Sequence, residues 1–259
     1  MSAIRSQIYY INSENRVSGT SSNFSVPIDI PDMSGFDTVQ VLQASIPLSF
    51  YLIRSPYNTF TLRELGVDTL VTIPEGNYNV NSFMNKINIF LSIASPNHWL
   101  YFTNFDSMLA KYNYVVTGNL GQQPTIILTN HLASQMGFNL NSVNTFVGNS
   151  VQSSNVVNFV STNALFIHSD IVDDTTSILQ EVYSNNTIPY SFITYQSQGD
   201  FYAKKLKNHT SSVFSFRIAD EHGNTIALNG QETLITLQLS KKLPLADMFK
   251  TFINLLASK

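Results

Sequence analysis

Polar and apolar residues alternate over residues 23–30, where Phe24, Val26, Ile28 and Ile30 share one face at the spacing of a strand. A turn cluster, Pro31-Asp32-Met33-Ser34-Gly35, follows. Residues 38–53 make a long β-rich run that Pro47 should bend, and residues 57–63 make a further strand. The period then changes. After a short strand at 69–73 and a turn at Pro74-Glu75-Gly76-Asn77, seven apolar residues fall on one helical stripe: Val80, Phe83, Met84, Ile87, Phe90, Leu91 and Ala94. Asn79 or Asn81 can cap the start of this helix, and Pro96 lies just past its end. Strands at 99–103, 108–117 and 125–129, and a short helix at 131–136 stopped by Gly137, complete a compact α/β unit. Residues 1–20 have no clear period after Ile11 and read as a loosely held arm. Residues 139–161, rich in Asn, Ser and Val, read as a linker or exposed loop.

Strands resume at 164–168, 177–183, 190–195, 201–206, 213–219 and 233–239 with no helix between them, the pattern of a sandwich. Neither half of the chain has strands enough for two sheets. The strands before the α/β unit must therefore pair with those after it, which suits a jelly roll better than a meander. The expected fold is mainly β: a single jelly-roll β-sandwich with an inserted small α/β unit and a C-terminal helix. The divisions fall at 1–67 for the arm and first strands, 68–160 for the inserted unit and its linker, 161–240 for the remaining strands, and 241–259 for the C-terminal amphipathic helix. In that last segment Leu245, Met248, Phe249, Phe252, Ile253 and Leu256 form a stripe behind Pro244. Burying a large apolar side chain is worth about 1.5–3 kcal/mol. The stripe therefore needs cover, either from its own sandwich or by docking on a partner.

Composition narrows the function. Of 259 residues, 43% are hydrophobic and only 12% charged, about half the usual charged share. A surface this weakly charged fits coverage by partners, and it fits a biased genome equally well. Net charge is −3, so no basic face is expected for nucleic acid. The small clusters Lys204, Lys205, Lys207 and Lys241, Lys242 read as solvated edges. Cysteine is absent, which removes disulfides, zinc–thiolate sites and thiol nucleophiles. The N-terminus lacks the apolar core of a signal peptide and no run reaches the length of a membrane span, so the chain is expected to fold in a cytosol.

One stretch looks like chemistry. Residues 220–231 read D-E-H-G-N-T-I-A-L-N-G-Q, with Glu232 next. A calcium loop of the EF-hand type wants oxygen ligands at its first, third and fifth positions, glycine at the sixth and glutamate at the twelfth. Counted from Asp220, the third position is His222, the sixth Thr225 and the twelfth Gln231, so the motif fails three times. Gly223 allows a positive φ after Asp220, and Asn229-Gly230 is a two-residue hairpin signal. The stretch is better taken as two turns, at Asp220, Gly223 and at Asn229, Gly230, around a short edge strand at 225–228. His168-Ser169-Asp170 has triad residue types, but neighbours on a strand point to opposite faces. Asp170, Asp173 and Asp174 read as a solvated loop. The five histidines lack metal-ligand spacing, and no phosphate loop or nucleophile elbow occurs. No catalytic, cofactor-binding or metal residue is assigned. If the sandwich bound carbohydrate or a host receptor, Trp99, Tyr101 and Tyr202 would be the aromatic candidates, with the inserted unit as the projecting part.

Two segments carry a resemblance. Ile73-Pro-Glu-Gly-Asn-Tyr78 with the following helix, closed by Met136-Gly137-Phe138, is the first; the strand and double turn from Ser215 to Gly230, with the alternating strand after it, is the second. Together and in this order they resemble the penton and minor capsid proteins of double-jelly-roll-lineage double-stranded DNA viruses: giant viruses, virophages and polinton-like viruses. The resemblance implies a single jelly roll, a homopentamer at the icosahedral five-fold vertices, contact with major capsid proteins and other minor capsid proteins, a place in the virion, and no enzyme activity. A minor capsid position away from the vertex is the alternative within the same family. Segment 241–259 is not part of the pattern.

Overall fold

The computed structural model describes residues 5–30, 35–160, 164–183, 191–199, 202–207 and 212–241. The apolar stripe Leu245, Met248, Phe249, Phe252, Ile253 and Leu256 lies outside the described residues, as do residues 31–34 of the first turn cluster.

The chain opens with four strands: β1 (Ser6–Asn12), β2 (Ser18–Thr20), β3 (Asn23–Pro27) and β4 (Thr38–Pro47). It continues through β5 (Thr59–Glu64), β6 (Val67–Thr72), α1 (Val80–Ala94), β7 (Leu100–Asp106), β8 (Lys111–Thr117), β9 (Thr125–Leu128), α2 (Leu132–Met136), β10 (Ser142–Thr145) and β11 (Ser150–Gln152). It closes with β12 (Ala164–Ser169), β13 (Ile178–Tyr183), β14 (Phe192–Gln196), β15 (Lys204–Lys205), β16 (Val213–Ala219) and β17 (Leu234–Ser240).

Two compact units result. One holds the chain up to Phe50 together with the described residues from 164 onward; the other runs from Tyr51 to Ser161. In the first unit one sheet has the order β1-β17-β4-β14, with β15 also on β4, and the other β13-β12-β16-β3-β2. Every pairing is antiparallel. Without the short β2 and β15, eight strands remain. Numbered along the chain, they give sheet orders 1-8-3-6 and 5-4-7-2. Strands from before and after the second unit interleave in both sheets, which is a jelly roll.

The inward positions dictate this pairing. Phe24 and Val26 on β3 lie opposite Phe216 and Phe214 on β16, and the rings of Phe24 and Phe216 stack with centroids 5.6 Å apart. Ile235, Leu237 and Leu239 on β17 complete the opposite wall. On β4 the inward set changes phase, from Val39 and Val41 to Ala44 and Ile46. A β-bulge makes this possible: Thr236 faces Gln43, Leu237 faces Val41, and Leu42 is left between them. Without the extra residue, Gln43 and Ser45 would point into the core.

The structure corrects three expectations. Residues 6–12 are not a loose arm but the edge strand β1, paired along its whole length with β17. Only Ile11 of β1 is fully buried, so the alternation that marks a strand was too weak to see. Residues 139–161 hold the edge strands β10 and β11, with Phe146 fully buried between them. The second unit begins at Tyr51 and not at residue 68, because β5 pairs with β6 and β9 in that unit.

The second unit has sheets β10-β9-β5-β6 and β11-β8-β7. α1 packs against β7 and β6 through Phe83, Ile87 and Leu91. Asn79 caps the helix: its side chain accepts the Ser82 N–H at 2.9 Å, and Ser82 Oγ accepts the Asn79 N–H at 2.9 Å. The Ile73–Tyr78 segment fastens the start of the unit. Glu75 accepts the Ser55 N–H at 2.9 Å, Asn77 accepts the Leu52 N–H at 2.8 Å, and Ile73 is fully buried. Gly137 ends α2 at φ +76, where a Cβ would lie 2.7 Å from Ser153 Oγ, so only glycine fits.

Candidate functional site

The Asp220–Gln231 stretch connects the two sheets of the sandwich. It leaves β16 in one sheet and reaches β17 in the other. Asp220 is buried, and its Oδ1 accepts the backbone N–H of His222 at 2.9 Å and of Asn224 at 2.9 Å, and Asn224 Nδ2 at 3.2 Å. Gly223 takes φ +81 and donates its N–H to Asp220 O at 3.0 Å. The carboxylate is thus occupied in holding a turn. Glu232, which would close a cation loop, instead accepts from Ser13 Oγ and from Arg16 Nη1 at 2.9 Å. The Ser13 hydroxyl, then Arg16, holds its carboxyl below the ordinary range.

The short strand expected at 225–228 is not formed. Thr225 makes one isolated bridge to Ala219. Ile226 donates to Ile218 O at 3.1 Å and accepts from Ser22 Oγ. Leu228 O then accepts from Ser49 Oγ at 2.6 Å, and Asn229 Nδ2 donates to Ser49 O at 2.7 Å. Ile226 and Leu228 are both buried. Asn229 (φ 50) and Gly230 (φ 82) sit at the centre of a tight turn closed by Gln231 N–H on Leu228 O at 3.0 Å. The flanking segments do not pair with each other, so this turn switches sheets and makes no hairpin. A two-residue signal cannot distinguish these outcomes, because the partners of β17 are β1 and β4, both far away in sequence.

The remaining candidates are dispersed. His168 Nδ1 lies 3.2 Å from Thr176 O, Ser169 Oγ accepts the Ile171 N–H at 3.3 Å, and Asp170 accepts the Ser215 N–H at 2.9 Å, so no triad forms. Burial, then the Arg217 charge, lowers the affinity of His168 for a proton. Asp173 pairs with Lys205. Among the described residues, no group of three or more His, Asp or Glu side chains could hold a metal ion. Trp99 and Tyr101 are buried in the core of the second unit and cannot present a stacking face; Tyr202 is exposed.

Sequence reasoning missed Glu64, which is fully buried at the end of β5. Its Oε1 accepts the Tyr101 hydroxyl at 2.6 Å. Its Oε2 accepts Ser95 Oγ at 3.0 Å, Asn97 Nδ2 at 3.0 Å and the Asn97 N–H at 3.3 Å. Ser95 Oγ in turn accepts the Trp99 N–H at 2.8 Å. One carboxylate therefore ties β5 to the turn after α1 and to β7. Burial, then the bond to Glu64, pushes the Tyr101 phenol far above its ordinary range. Its partners are neutral hydroxyls and amides, and Glu64, Ser95 and Tyr101 are buried, so the carboxylate serves as an anchor.

No helix among the described residues is long and apolar enough to cross a membrane. Comparison with solved structures adds a likeness to this geometry. The solved penton protein of mavirus matches with a TM-score of 0.48 and 12% identity, over 90% of this chain and 100% of that one. No family model and no curated protein matches the chain.

Proposed function

We propose that this chain is a structural subunit of a virion, a penton-type protein that forms homopentamers at the five-fold vertices and contacts major capsid proteins, and that it is not an enzyme. One observation carries the reading. The two segments whose sequence resembles penton and minor capsid proteins both act as structural locks: the Asp220–Gly230 stretch between the sheets of the jelly roll, and the Ile73–Tyr78 segment within the α/β unit inserted between the third and fourth core strands. A fold alone does not imply a function. Here the residues that looked most like a binding site are hydrogen-bonded to backbone, which is what a rigid building block requires. Five identical copies around an axis would meet through one heterologous interface that closes.

The stripe at Leu245, Met248, Phe249, Phe252, Ile253 and Leu256 is assigned to contact with a neighbouring subunit. Truncation after Lys241 tests the assignment together with the virion role. The truncated chain should melt near the full-length temperature and fail to enter particles when co-expressed with its capsid partners. A full-length chain that stays out of particles overturns the virion reading. A truncated chain that no longer folds places the stripe in its own core.

A further inference from the structure

We propose that the outer face of sheet β1-β17-β4-β14 carries a binding site for a neutral saccharide. The inference does not depend on the virion reading. A groove of about 520 Å³ crosses this face beside the β-bulge at Leu42, within the roughly 300–1,000 Å³ range of small-molecule sites. The bulge is its physical cause, since an extra residue bends the strand and increases local twist.

The chemistry of the groove is specific. Register places Tyr10, Thr236, Gln43 and Gln196 in one row across the four strands, and Ser45 and Thr194 in the next. Among the described residues, the lining combines hydroxyls and amides with apolar groups, Leu234 the most exposed of them, and has no charged side chain. Elsewhere on the same sheet, directly opposed amides bond to each other: Gln40 Nε2 donates to Gln238 Oε1 at 2.8 Å. The opposed pairs Gln43–Gln196 and Gln43–Thr236 make no such bond, which leaves their donors and acceptors free for a ligand. Tyr10 stands at the rim with 82% of its surface exposed, a ring with nothing stacked on it.

A sugar matches this set. Its hydroxyls donate and accept, as Gln and Thr side chains also do. Its C–H face can cover an aromatic ring, whose hydroxyl stays at the wet end. A phosphate or nucleic acid would find no cation here. A protein interface would be expected to put an apolar, aromatic core at the centre of the patch, but of the outward positions on the two central strands, Thr236, Gln43, Ser45 and Leu234, only Leu234 is apolar, and the aromatic stands at the edge.

The test uses the full chain on an array of neutral glucose-, galactose- and mannose-based oligosaccharides and their sialylated and sulfated counterparts, followed by titration of hits. Neutral glycans should bind without preference for acidic forms, and binding should persist in high salt. Tyr10→Ala and Gln43→Glu, both at exposed positions, should each weaken binding at least tenfold with an unchanged melting temperature. On the unmodified chain, the bound glycan should protect Tyr10 from hydroxyl-radical labelling. Absence of any glycan binding overturns the proposal, as does binding that survives both substitutions. Protection of Tyr10 on self-association alone, without glycan, would make this face a contact between copies and would also overturn it.

Discussion

The two units bury different chemistry. The fully buried cluster of the sandwich is aliphatic and phenylalanine, with no tyrosine or tryptophan in it. The fully buried cluster of the inserted unit contains Trp99, Tyr101, Tyr112 and Tyr114. Each of its tyrosine hydroxyls has an assigned acceptor: Glu64 for Tyr101, Val80 O at 2.6 Å for Tyr112, and Met136 O at 2.9 Å for Tyr114. A sandwich closed by long-range strand pairing gets its register from alternation and a bulge. The smaller unit, with short sheets and a helix, fixes its arrangement with hydroxyls that must reach one particular partner, because a buried polar group left unpaired is costly.

This contrast breaks first under two truncations. Phe216→Ala should destabilise by about 3–5 kcal/mol through the cavity it leaves. Glu64→Ala should cost roughly 2–4 kcal/mol, because the buried hydroxyls of Tyr101 and Ser95 lose their acceptor. Hydrogen exchange separates them: Phe216→Ala should deprotect β3, β16 and β17, and Glu64→Ala should deprotect β5 and β7. Identical protection patterns for both would erase the distinction between the cores.

Alkaline pH sharpens it. Burial raises the phenols of Tyr101, Tyr112 and Tyr114, while an unfolded tyrosine ionises near about 10. The stability that these groups confer is complete below the unfolded value and is lost as pH rises toward the folded values. Above pH of about 10 the inserted unit should therefore open before the sandwich, followed by tyrosinate absorbance with exchange at β8 as the structural probe. Tyr114→Phe is a smaller change. It leaves Met136 O without its donor and should cost about 1–2 kcal/mol.

The smallest effect belongs to the sandwich. The carboxyl of Glu232 is depressed by Ser13 and Arg16, so its contribution is present above the unfolded carboxylate value and is lost as pH falls through the folded one. The pair is partly exposed, and the loss should stay under about 1 kcal/mol. Glu232→Gln should flatten the acid limb of the melting curve without moving the neutral-pH melting temperature by more than that.

Legibility in the sequence followed the same division. Helix α1 could be read because Phe83, Ile87 and Leu91 recur on one face and a capping residue stands before it. The interleaved sandwich could be inferred by counting strands. Of the edge strands, β6, β7, β13 and β14 could be read, but β1, β2, β10 and β11 could not: β1 shows its polar and aromatic side to solvent and buries almost nothing. Glu64 was invisible because a glutamate ending a strand normally meets water, and only Ser95, Asn97 and Tyr101 from later in the chain make it a core residue. The groove on the outer sheet is set by a bulge and by register across four strands, neither of which is written in local pattern.

The most direct measurement of the central proposal is native mass spectrometry of the purified chain, checked by negative-stain electron microscopy. A penton-type subunit should give a five-fold ring of about 145 kDa, five times the 29.0 kDa chain. A strict monomer across the working concentration range, or a closed dimer, would contradict it.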